Sequence, residues 1–170
     1  MTTKSGTGGA RRARLLDGEG LAEFIYGTVT GMVAIGGIQA GHDVSWLRAA
    51  SIILLGAVAI WVAHAYSELV AHRVTAGRRL GAPDLLSVLG ASWPIVFAGV
   101  LLAVPLSGAA LGLCSVDAAL LASSVLGIAV LALVGLFAER NETWPRRAMD
   151  AVLSAGLGVG VVAIELIVHH

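Results

Sequence analysis

Residues 49–73 read AASIILLGAVAIWVAHAYSELVAHR. From Ala49 to Ala63 the run holds no ionisable side chain; then His64, Glu68 and His72 enter at steps of four, and Arg73 closes it. A bilayer core about 30 Å thick takes about 20 apolar residues at 1.5 Å per residue. In hydrocarbon every backbone N–H and C=O needs a partner within the protein, and a helix satisfies them within one segment. The stretch from Ala49 to Ala71 is therefore predicted to be a membrane-spanning helix with polar groups toward one end.

The same test applied along the chain finds four more spans, Leu21 to Ala40, Leu85 to Leu106, Val116 to Ala138 and Ala148 to Val168. A Trp93-Pro94 pair should kink the third, because proline lacks the N–H that a helix interior needs. Pro105, Gly108 and Gly112 argue for a short connection from Leu106 to Ser115. Composition agrees: of 170 residues, 57% are hydrophobic and 13% charged, and the mean hydropathy is +0.87. Soluble domains carry about 25% charged residues. Zero net charge and only eleven basic residues leave no broad cationic face for nucleic acid. The single Cys114 excludes a disulfide framework and a cysteine-based zinc site.

Ten of the eleven basic residues fall on one side of a five-span arrangement, with Arg48 alone on the other. The positive-inside rule then puts the N-terminus in the cytoplasm and the C-terminus outside. The predicted fold is an all-α integral membrane protein, a five-helix bundle over residues 19–170 preceded by a disordered cytoplasmic tail, residues 1–18. Span one is too long for the apolar core of a secretory signal. A bacterial plasma membrane is the expected location, and the lipid bilayer the first partner.

Glycine contributes 22 residues, several at helix spacing: Gly27 and Gly31, Gly37 and Gly41, Gly156 and Gly160. Small residues four apart let helix backbones approach closely in lipid. Spans one and five are thus expected to pack tightly, within the chain or across a homodimer. Trp46 and Trp144 suit interface anchors, and Trp61 and Trp93 packing positions.

Ionisable groups inside spans are costly, so each is a candidate functional group. Span one carries Glu23 near its cytoplasmic start. In span two, His64, Glu68 and His72 share one face, since residues four apart are helical neighbours. Span one starts where span two ends, so Glu23 and Glu68 lie at similar depth, with His64 about 6 Å deeper. Two carboxylates and an imidazole at one level can bind a divalent cation or pass protons. Structural readings stand beside these. Glu23 can face headgroup water at the positive end of its helix, Glu68 can pair with a loop arginine, and His64 can be a packing residue. His72, beside Arg73, reads as interfacial. Glu165 lies near the outer end, where it can snorkel, and His169 and His170 are either native or the remnant of a tag.

Three stretches carry a family resemblance. Span one reads Glu23-Phe-Ile-Tyr-Gly27-Thr-Val-Thr30-Gly31-Met32 and runs on to Ala40-Gly41. Span two holds Ala63-His64-Ala65-Tyr66-Ser67-Glu68-Leu69-Val70-Ala71-His72-Arg73, and span three Phe97-Ala98-Gly99 followed by Pro105. The chain resembles the vacuolar iron transporter family, whose opening helix carries Gly-x-x-Asp-Gly-Leu and whose second carries Ser-Met-x-x-Gly-Glu-Tyr-x-Ser-x-Arg. Glu68 and Arg73 match that second signature in register. The family's span-one aspartate falls on Thr30 and its span-two methionine on His64. Its cytoplasmic metal-binding domain between spans two and three is reduced to Val74 to Pro83.

The resemblance implies a dimeric five-span transporter. Glu23 would stand at the mouth, Thr30, Met32, His64 and Glu68 would line the path, and His64 and Glu68 would bind metal. The first functional expectation is a small proton-coupled transporter of a divalent metal such as Fe²⁺ or Mn²⁺, with that ion as substrate and no resident cofactor. The alternative is a non-transporting membrane subunit or scaffold that keeps the fold without the metal site. A channel for protons or small ions is a third reading. An enzyme is not expected, since no nucleophile–base set or phosphate-cradling loop is present.

Overall fold

A computed structural model of the chain describes residues 18–41, 44–76, 81–137 and 144–168. The expected tail (all but Gly18), Arg78, Arg79, Arg140, His169, His170 and the side chain of Glu165 lie outside the described residues. Among the described residues seven helices follow in order: α1 (Gly18–Gln39), α2 (Trp46–Ala76), α3 (Ala82–Ala91), α4 (Trp93–Ala103), α5 (Leu106–Ala110), α6 (Val116–Phe137) and α7 (Trp144–Val168). No strand occurs among the described residues. The helical stretches give five candidate spans long and apolar enough to cross a membrane, with α3 and α4 together forming the third.

Local chemistry sets the helix ends. The Ser45 and Ser115 hydroxyls accept the backbone N–H of Arg48 and Ala118, at 3.3 and 3.2 Å, capping α2 and α6; such caps satisfy an N–H that has no partner within the helix. Asp84 Oδ2 accepts the Gly81 N–H at 2.8 Å at the head of α3. After α5 the chain turns through Gly112 at φ 71°. Leu113 N–H bonds to Gly108 O and Gly112 N–H to Ala109 O, at 2.9 and 3.1 Å. That pair of bonds is a Schellman ending, which needs a left-handed residue where glycine sits.

The third span is broken rather than kinked. Ser92 (φ −80°, ψ 2°) ends α3, and α4 restarts at Trp93. In an unbroken helix the Leu89 carbonyl would accept the Trp93 N–H. Instead the Trp61 indole of α2 donates to it at 3.1 Å, and the Trp61 and Trp93 rings meet edge-on at 5.7 Å and 86°. The two tryptophans expected to pack thus meet at the break, where one also satisfies a freed carbonyl.

α1 is the central helix, contacting α2, α4, α6 and α7, while α6 and α7 pair along their length. Met32, Ile35, Ile53, Leu102, Leu106, Leu120 and Leu131 form the fully buried core. Buried hydroxyls bond back into their own helices, Thr28 to Phe24 O at 2.8 Å and Ser123 to Ala119 O at 3.0 Å. This is how a polar side chain is accommodated where water is scarce.

On α1 glycine packing follows expectation at Gly27 and Gly31 but not at Gly37, which has open space, nor at Gly41, which lies past the helix end. A Cβ on Gly27 would stand 2.8 Å from the Cα of Ile95, and one on Gly31 would stand 2.6 Å from Leu102 Cδ1. The seam is intramolecular and faces α4. On α7 the structure corrects the expected seam within the chain: Gly156 and Gly160 have open space, and Gly158 meets Ile128 and Leu131 of α6. The expected pair therefore points away from the neighbouring helix.

Candidate functional site

α1 and α2 run side by side, and near the start of one and the end of the other they bring three ionisable side chains together. His64 and Glu68 lie one turn apart on α2, and Glu23 approaches from α1. One ligand atom from each falls within 4.8 Å of the others. Glu23 Oε1 is 2.6 Å from His64 Nε2, and Glu68 Oε1 is 3.7 Å from the same nitrogen. Side-chain exposures of 16% for Glu23, 31% for His64 and 34% for Glu68 put the group in a partly enclosed niche. The Tyr26 ring lies 6.0 Å from the His64 ring, tilted by 39°.

Nε2 of His64 and Oε2 of Glu23 are buried and make no hydrogen bond. The short Nε2–Oε1 approach thus has the distance of a strong ion pair without the directionality of an N–H bond. Two carboxylate oxygens facing one ring nitrogen are stable in two ways. Either the nitrogen carries a proton that it directs at them, or its lone pair and the oxygens turn toward a shared cation. In a tetrahedral shell with bond lengths near 2.0–2.2 Å, ligand atoms stand about 3.4 Å apart. Three protein ligands would leave a coordination position open for water or exchange. An imidazole with two carboxylates suits Fe, Mn, Zn or Ni.

Of the other expected path residues, Thr30 lies on the Glu23 face of α1, about 10 Å further along the axis. Its hydroxyl is held by the Tyr26 and Gly27 carbonyls at 2.9 and 3.2 Å. Met32 is nine residues beyond Glu23, half a turn out of phase. It is 1% exposed, and its sulfur lies against Gly127 of α6, 2.7 Å from where a Cβ there would stand. The structure therefore places Met32 in the core, apart from the polar group. His72 is exposed, with Nδ1 3.0 Å from the Glu68 carbonyl; a carbonyl only accepts, so this bond puts the proton on Nδ1. Gly27 lies one turn from Glu23 and seats α1 against α4, whereas Gly156 and Gly160 have no part near the site.

Sequence reading missed Tyr26, although it lies three residues after Glu23 and so on the same face. It also missed the role of Trp61, three residues before His64. The Trp93-Pro94 pair signalled a disturbed helix, but a proline at 94 by itself leaves only the Gly90 carbonyl without its helical donor; that the break at Ser92 frees the Leu89 carbonyl for Trp61 was not legible in the spacing.

No known protein family, curated protein or solved structure matches this chain.

Proposed function

We propose that this protein is a small membrane transporter that binds a divalent cation at Glu23, His64 and Glu68 and exchanges it for protons. One observation carries the reading: three potential ligands from two helices converge around a buried ring nitrogen and a buried carboxylate oxygen that make no hydrogen bond, the nitrogen standing 2.6 Å from Glu23 Oε1. Metal ligands must shed their protons to coordinate, so metal arrival displaces the proton from Nε2 and proton return displaces the metal. Glu68 takes cation and proton in turn, Glu23 stands at the mouth, and Thr30 offers a neutral oxygen further along the same face. The asymmetry of basic residues supports a cytoplasmic position for this end of the bundle, in a bacterial plasma membrane on this reading. The chain is in this reading a divergent relative of the vacuolar iron transporters, assembled as a homodimer and lacking their cytoplasmic metal-binding domain.

A second reading, a non-transporting subunit, is favoured by the packing beyond the niche. There Met32, Ile35, Leu102 and Leu131 fill the core with apolar side chains. A subunit of this kind would bind the ion and not pass it. Uptake of Mn²⁺ or Fe²⁺ into proteoliposomes, paired with calorimetric binding to the detergent-solubilised protein, separates the two. Uptake abolished by Glu68→Gln supports transport through this site, and uptake that survives the substitution removes Glu68 from the mechanism. Binding without uptake selects the subunit. Absence of both overturns the cation site.

A further inference from the structure

A second feature lies on another stripe of α2. Tyr66, Leu69, Val70 and Arg73 follow one another at helical spacing and face the start of α3, where Leu85 completes an open groove of about 430 Å³. His64 and Glu68 point to α1 instead, so this groove is independent of the cation site. Its walls are apolar, and its charged group is a guanidinium with no carboxylate partner among the described residues.

Helix length sets its depth. The span from Trp46 to Thr75 has 30 residues and is about 45 Å long, against about 30 Å of hydrocarbon. With Trp46 anchored at one interface, Tyr66 lies about 30 Å along the axis, at the far hydrocarbon boundary. Arg73 lies about 40 Å along, in the opposite headgroup layer. The groove therefore runs from the acyl region to the depth of lipid phosphates. It is flanked by exposed apolar side chains, Leu86 at 69% and Val74 at 78%.

A guanidinium at that depth, with no carboxylate partner among the described residues, calls for an anion, and its planar donor fork matches a phosphodiester. We propose that the groove binds one anionic phospholipid, with Arg73 on the phosphate, the Tyr66 hydroxyl beside the headgroup, and Leu69, Val70 and Leu85 against the upper acyl chain. Basic pockets between membrane helices near the headgroup layer recognise such lipids.

The test is native mass spectrometry of the full chain in mild detergent, titrated with phosphatidylglycerol, phosphatidylcholine, short-chain dihexanoyl phosphatidylglycerol or inorganic phosphate. Phosphatidylglycerol is expected to bind more tightly than phosphatidylcholine. Arg73→Gln is expected to weaken it about five-fold, whereas Arg48→Gln, at the other end of α2, leaves it unchanged. The short-chain lipid should bind more weakly, because it loses the apolar wall. Equal binding of the two long-chain lipids overturns the proposal, as does an unchanged Arg73→Gln. Displacement of the lipid by inorganic phosphate at equal concentration points to a free anion instead and also overturns it. Should Arg73→Gln fail to fold, the wild-type selectivity and the Arg73→Lys variant, which keeps the charge and should keep most of the selectivity, decide the matter.

Discussion

Replacing Trp61 by Phe tests how the broken third span is held. Phe keeps most of the ring against Trp93 but removes the indole N–H that donates to the Leu89 carbonyl at 3.1 Å. That carbonyl has lost its helical donor because the chain breaks at Ser92. Leu89 and Trp61 are both partly buried, and in a lipid-facing bundle water is a poor substitute. An acceptor left unpaired costs about 1–3 kcal/mol. For a protein of this size each kcal/mol moves Tm by about 2–4 °C, so the drop should be about 2–12 °C. The assay is thermal unfolding of the detergent-solubilised protein, followed by intrinsic fluorescence and by hydrogen exchange across residues 85–95. Trp93→Phe is the control, since it alters the edge-on ring contact, worth about 0.5–1.5 kcal/mol, and leaves the bond intact. If Trp61→Phe melts with the wild type while exchange around the break is unchanged, the indole is not what satisfies that carbonyl.

Glu23→Gln removes the carboxylate nearest to His64 and should weaken Mn²⁺ binding at least ten-fold, about 1.4 kcal/mol or more by calorimetry. Lowering the pH from about 7.5 to about 5.5 should weaken the same binding, since protons compete for the ligand atoms and metal affinity rises with pH; an isotherm unchanged across that range would contradict the shared site. Gly27→Val should lower Tm markedly, because a Cβ would meet the Ile95 backbone at 2.8 Å and overpacking costs about 1–3 kcal/mol. Gly112→Ala forces a side chain onto φ 71° and should cost about 1 kcal/mol, read as a small fall in Tm.

The amino-acid sequence by itself determined the five apolar spans, because hydropathy and helix length are local properties and hydrocarbon admits no other backbone solution for an open chain. It also determined that His64 and Glu68 share a face, since the four-residue step belongs to any α-helix. Depth arithmetic brought Glu23 to the right level, but level is not contact. Only tertiary structure decided that α1 turns Glu23 toward α2, and the same rotation carries Met32, half a turn away, into the core against Gly127. On α7, glycines at 156, 158 and 160 all satisfy a small-residue pattern, and spacing cannot say which phase meets α6; packing against Ile128 and Leu131 selected Gly158. At the third span, proline chemistry foretold a disturbance, yet a full break at Ser92 is stable because a donor from another helix reaches the freed carbonyl. Periodicity within a helix is written in the chain, whereas the rotation of one helix against another depends on every side chain that must fit between them.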